Sequence, residues 1–126
     1  MFSVIPALPA AIEGLRTVAY NLRWAWSHEA IELFRSLDSD LWEASNHNPV
    51  LLLGSIEQRK LDAAAVDDAF LAHLARVVGD LEAYMTGEAS WFRKTFQSEP
   101  PLIAYFSAEF GLTECLSHRF AIPDVQ

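Results

Sequence analysis

Apolar positions near the start of the chain repeat with the period of a helix. Leu8, Ile12, Leu15, Ala19, Leu22 and Trp26 recur at spacings of four and three, which lines one face of an amphipathic helix over several turns. Pro9 suits the first turn, where a backbone N–H has no intrahelical partner. Gly14 inside the stripe costs about 1 kcal/mol relative to Ala, so close approach by another element is the expected reason for it. Asn21, Arg23 and Trp24 fall off the stripe, which leaves Trp24 either on a second contact surface or exposed. Ser27 reads as the next N-cap, with Glu29 in the first turn. Ala30, Ile31, Phe34, Leu37 and Leu41 then form a buried side.

Asp38-Ser39-Asp40 reads as a turn with a fresh cap, and Leu41-Trp42 as a short helical piece. Asn46-His47-Asn48-Pro49 is the strongest punctuation: Asn48 caps, Pro49 takes the first helical position, and a short apolar helix follows over 50–56. The polar stretch 57–62 reads as exposed. A long helix is predicted over 63–85, with Val66, Phe70, Leu74, Val77, Leu81 and either Tyr84 or Met85 inward and Gly87 as its terminator. A further short helix over 88–96 carries Trp91, Phe92 and Phe96 before Pro100-Pro101 ends helical structure.

The pattern then changes. The run 102–106 is short and continuously apolar, containing Ile, Tyr and Phe, and it predicts a strand buried on both faces, as in a parallel sheet. Ser107, Ala108, Glu109 and Gly111 follow, where groups past the carboxyl end of a strand face ligands. No second strand is predicted, so the run is expected to fold back on the helices, hang disordered or drive self-association. The resulting fold class is mainly α. A four- or five-helix domain over 1–99 is followed by one isolated strand and loop of an incomplete α/β domain over 100–116, then a tail over 117–126.

Composition narrows the functions. Hydrophobic residues make up 52% of the 126, enough for one real core. The formal charge of -8 argues against nucleic acid or an anionic membrane as partner. Cys115 is the one cysteine, which excludes an intrachain disulfide and suits a reducing cytoplasm. No secretory signal or membrane span is read, and a cytoplasmic location is expected.

Candidate chemistry is sparse. Trp24, Trp26, Trp42 and Trp91 offer either sugar-stacking faces or core volume, with helical spacing favouring the core for the last three and leaving Trp24 open as a candidate sugar contact. His28, His47, His73 and His118 lack metal-ligand spacing, and His47 between two asparagines suits capping or hydrogen bonding. Asp67-Asp68 reads as a solvated face, Gly111 alone makes no phosphate cradle, and Cys115 has no nearby cation to activate it. Glu109 is either a substrate-contacting carboxylate or an acceptor for backbone N–H groups at the strand-to-loop turn.

Two stretches together resemble a family. Ile103-Ala-Tyr-Phe-Ser-Ala-Glu-Phe-Gly-Leu-Thr-Glu-Cys-Leu116 is similar to the first strand and loop of bacterial α-glucan phosphorylases of the glycogen, starch and maltodextrin type. Asn21-Leu-Arg-Trp-Ala-Trp26, Glu32-Leu-Phe-Arg35, Leu41-Trp42 and Asn46-His-Asn-Pro49 resemble the helical N-terminal domain of one bacterial branch, labelled a domain of unknown function, DUF3417. The resemblance implies a GT-B-like glycosyltransferase that phosphorolyses α-1,4-glucan to glucose 1-phosphate, with pyridoxal phosphate on a lysine of a C-terminal domain. It places Glu109 near the sugar site, Ser107 and Phe110 matching the same motif; the alternative reading is a non-enzymatic helical module that packs on the rest of a phosphorylase, self-associates or binds α-glucan. Past Leu116 the family pattern continues into a glycine turn, from which 117–126 departs. A truncated homologue is therefore expected: no catalytic residue, no cofactor-binding residue and no metal ligand in this chain, and no activity by itself.

Overall fold

The computed structural model describes residues 5–87, 90–96, 103–106 and 112–115. Among them run seven α-helices: α1 (Gly14–Ala19), α2 (His28–Leu37), α3 (Ser39–Ala44), α4 (Pro49–Ser55), α5 (Gln58–Ala64), α6 (Asp68–Thr86) and α7 (Trp91–Thr95). Two 3-10 turns, Ala10–Ile12 and Leu22–Trp26, flank α1. The mainly helical fold is as expected, but in more and shorter pieces.

Local hydrogen bonds explain most of the boundaries. The Ser27 hydroxyl accepts from the Ala30 N–H at the start of α2, and the Asp38 carboxylate from Leu41 at the start of α3. Asn48 Oδ1 accepts from both Val50 and Leu51 at α4, with Pro49 at the first helical position. Asp67 is more than a solvated charge: it caps α6 through Ala69 and Phe70. Gly87 ends α6 at φ 65, a left-handed conformation that other residues adopt at a cost.

The long α6 is the spine. Phe70, Leu74, Val77 and Leu81 are buried along it, and α1 and α2 pack on it. Gly14 makes the first contact close: a Cβ there would lie 3.0 Å from Val78 Cγ2. α2 also meets α3 and α5, and α4 bridges α1 and α3. Trp42 of α3, 1% exposed, sits at the centre of this arrangement. Phe34 stacks on it at 6.1 Å, and Trp24 meets it edge-on at 6.1 Å and 80°. Each large side chain buried this way contributes about 1.5–3 kcal/mol relative to exposure.

Several expectations need correction. The N-terminal helix is not continuous: Asn21 adopts an extended conformation (φ -111, ψ 113), its side chain caps Arg23, and the chain restarts as a 3-10 turn. That break resets the helical phase, so Trp24 is buried at 4% while Trp26, on the extrapolated stripe, is 72% exposed. Trp91 is likewise exposed on α7. Val66 falls outside α6 because Asp67 caps the helix after it, and it is exposed. Residues 57–62, read as exposed and polar, mostly form α5, whose Leu61 is fully buried.

The strand is not observed. No stretch of the described residues forms a β-ladder, and Ile103, Tyr105 and Phe106 are exposed. A strand buried on both faces requires sheet neighbours, and the described residues are otherwise helices and turns. Leu102, the Pro100-Pro101 pair and the 117–126 tail lie outside the described residues.

Candidate functional site

The turn between α3 and α4 brings several polar groups together. It begins as a Schellman ending of α3: the His47 N–H reaches the Trp42 carbonyl at 3.0 Å and the Asn46 N–H reaches Glu43 at 3.0 Å. Asn46 (φ 54) and His47 (φ 58) both take left-handed conformations, which Asn and His tolerate better than most side chains. Asn48 then returns to extended backbone and caps α4. This geometry lays the His47 imidazole over the buried Trp42 indole, 5.3 Å between centroids.

Both ring nitrogens of His47 are engaged. Nε2 lies 2.8 Å from Glu43 Oε2, one helical turn back, and Nδ1 pairs with the Glu114 carboxylate. Asn46 Nδ2 donates to the Glu114 backbone carbonyl at 3.1 Å. The Glu114 carboxylate, and after it that of Glu43, holds the imidazole pKa above its ordinary value, with partial burial opposing them. Cys115 beside them is half-buried, its Sγ 3.7 Å from the Thr113 hydroxyl.

These contacts wall a cleft of about 300 Å³ lined by Trp24, Ala25, Ile31, Arg35, Trp42, His47, Leu112, Thr113 and Glu114. Its one guanidinium, Arg35, is turned onto Glu32 at 2.5 Å. The two carboxylates grip opposite edges of the imidazole and do not converge on one point, and among the described residues no group of three His, Cys, Asp or Glu is placed to hold a metal ion. The site is suited to holding chain segments together.

The candidate residues fare unequally. Glu109, Ser107 and Phe110 lie outside the described residues. Trp24 does not present the open face expected of a glucan contact: it is a core residue whose edge helps line the cleft. His73 bonds the Glu29 carbonyl and carboxylate, tying α6 to α2, while His118 lies outside the described residues. Glu43, Arg35 and Glu114 were not anticipated. The Glu43–His47 spacing of four was an available signal; the pairing with Glu114, 67 residues away, had none.

A family model described as "Protein of unknown function (DUF3417)" matches residues 8–116. The chain belongs to the DUF3417 family. Among its relatives, glycogen phosphorylase of Mycobacterium tuberculosis (strain CDC 1551 / Oshkosh) is 37% identical over 121 residues, covering 91% of this chain and 14% of that protein. Maltodextrin phosphorylase of Thermococcus litoralis is 30% identical over 109 residues, 86% of this chain and 13% of the relative. Glycogen phosphorylase of Aquifex aeolicus is 35% identical over 104 residues, 82% and 14% respectively. The expected similarity to the N-terminal region of bacterial phosphorylases therefore holds for this DUF3417 chain, which spans about a seventh of the length of these relatives. No solved structure matches it.

Pyridoxal phosphate, implied by the resemblance, needs an amine that can lose its proton and a set of donors for its phosphate. Lys60 Nζ is bound to the Asp38 carboxylate at 2.5 Å, and Asp67 lines the same shallow cleft, where a phosphate would be repelled. Lys94 is exposed on α7. Lys60, held by Asp38, does not fit the cofactor.

Proposed function

We propose that the chain is a non-catalytic helical module of an α-glucan phosphorylase, one that packs on the phosphorylase body and does not phosphorolyse glucan by itself. One observation carries this reading: relatives named phosphorylases align with 82–91% of the chain, while the chain aligns with 13–14% of their lengths. Two features support it. Lys60 is paired with the Asp38 carboxylate, so its amine is already engaged. Large apolar side chains are exposed in the later part of the chain, on Trp91, Phe92 and Phe96 and on Ile103, Tyr105 and Phe106, as a surface meant for a protein neighbour requires. By the family resemblance, Glu109 is the residue proposed to contact the sugar in that assembly. Catalysis requires groups that bind the transition state better than the substrate, and within 1–126 no such opposed set is proposed.

The test is glucose 1-phosphate release from maltodextrin by the purified chain with phosphate and pyridoxal phosphate. No release is expected, and clear turnover overturns the reading. A second reading, glucan held by an exposed indole, is favoured by Trp26 at 72% exposure. Maltodextrin retention that disappears in Trp26→Ala, with unchanged stability, selects it.

A further inference from the structure

We infer that the α3–α4 turn is a proton-dependent clamp that fastens the segment around Glu114 to the helical core. The inference rests only on contacts within this chain, so it stands or falls independently of any role in phosphorylase assembly. Two neighbouring residues hold Glu114 at two different points. Asn46 Nδ2 takes its backbone carbonyl, and His47 Nδ1 takes its carboxylate. A two-point grip fixes orientation as well as distance. It also closes the cleft, because Leu112, Thr113 and Glu114 form one side of it against Trp24, Ile31 and Trp42.

The proton requirement follows from donor counting. A neutral imidazole carries one N–H and one lone pair, whereas an imidazolium carries two N–H groups. His47 has a carboxylate on each ring nitrogen, Glu43 on Nε2 and Glu114 on Nδ1. Both contacts are favourable only when the ring holds both protons. When it loses one, a carboxylate faces a lone pair, and Glu114 is the contact that yields. Glu43 is four residues away at the end of α3, whereas Glu114 is 67 residues away in sequence, so its contact carries the larger cost in chain entropy.

The surrounding charges agree. From α3 the facing group is Glu43, from the 112–115 segment Glu114, and from α2 Arg35, which is paired with Glu32. Asn46 and Asn48 on the turn itself are neutral. The raised imidazole pKa sets the direction. The clamp is complete below about 6.5, the ordinary value, and is lost as pH rises through the folded-state value.

Cys115, the chain's one cysteine and half-buried next to Glu114, reports the clamp directly. Labelling by a neutral maleimide is compared between wild type and Glu114→Gln at each pH, each rate divided by that protein's own thiolate fraction, read from its ultraviolet absorbance. At pH 6 the variant is expected to label about fivefold faster, the difference between a charge-assisted and a neutral contact. The ratio is expected to fall toward one by pH 9. A ratio near one at pH 6, or one that does not change with pH, overturns the clamp. NMR titration of the unmodified chain decides the matter without a variant. The His47 ring is expected to titrate above 6.5, with the Thr113 and Glu114 amide shifts following the same midpoint. A midpoint at or below 6.5, or amides that stay still, also overturns it.

Discussion

Trp24→Ala against Trp26→Ala tests the interruption at Asn21, on which the arrangement of the core depends. Trp24 is 4% exposed and meets Trp42 edge-on at 6.1 Å, whereas Trp26 is 72% exposed. Truncating a buried aromatic side chain removes its transfer free energy and leaves a cavity, for a loss of about 3–5 kcal/mol. Part of that loss is the edge-to-face contact, worth about 0.5–1.5 kcal/mol. Against a domain stability of about 5–15 kcal/mol this is a large fraction. Trp26→Ala removes a mostly solvated ring and is expected to stay within about 0.5 kcal/mol. Urea unfolding followed by far-UV circular dichroism is the suitable assay, since fluorescence would lose a different chromophore in each variant. With a urea slope of about 2 kcal/mol/M, the Trp24→Ala midpoint falls by roughly 1.5–2.5 M while that of Trp26→Ala barely moves. The opposite ranking, with Trp26→Ala costing more than about 3 kcal/mol and Trp24→Ala less than about 1, would mean that the helix runs straight through Asn21. The phase reset, and with it the account of the core, would then be wrong.

Asp38 caps α3 and bonds Lys60, and the two roles separate by substitution: Asp38→Asn keeps the cap and is expected to cost about 1 kcal/mol, Asp38→Ala about 2. The Lys60 contact, followed by the Leu41 N–H, holds the Asp38 carboxyl below its ordinary value of 3.8. Its contribution is therefore full above that value and lost as pH falls through the folded-state value, so the gap between wild type and Asp38→Asn in denaturant midpoint should be present at pH 7 and shrink in strong acid. A gap independent of pH would remove the charge from the explanation. Gly87→Ala is expected to cost about 1 kcal/mol through backbone strain at φ 65, because the nearest atom to an added Cβ, Arg93 Nε, is 3.9 Å away and no clash is created. An unchanged melting temperature would show that α6 ends elsewhere.

The candidate site was legible in part. Asn46-His47-Asn48-Pro49 marked a turn with a cap and a hydrogen-bonding histidine, and the turn has both. What it grips was not legible, because the partner is far along the chain and the stretch containing it, 102–116, read most plainly as a strand and loop. That stretch misled through its local apolarity: an unbroken apolar run satisfies a buried strand only if a sheet accompanies it, and among the described residues none does. The indoles misled for a related reason. A stripe extrapolated through Asn21 assumed one helical phase, and a single extended residue was enough to exchange Trp26 for Trp24.

The sequence by itself determined several helix boundaries: the starts of α2, α3 and α4 and the end of α6. Ser27, Asp38, Asn48 with Pro49, and Gly87 act on backbone groups within three residues, so their effect is complete without the rest of the fold. Tertiary structure decided which faces are inside: Leu61 buried in a polar stretch, Val66 left outside, Trp24 turned onto Trp42, His47 closed on Glu114. A capping bond needs only its neighbours in sequence, whereas burial depends on what another helix brings to the same place.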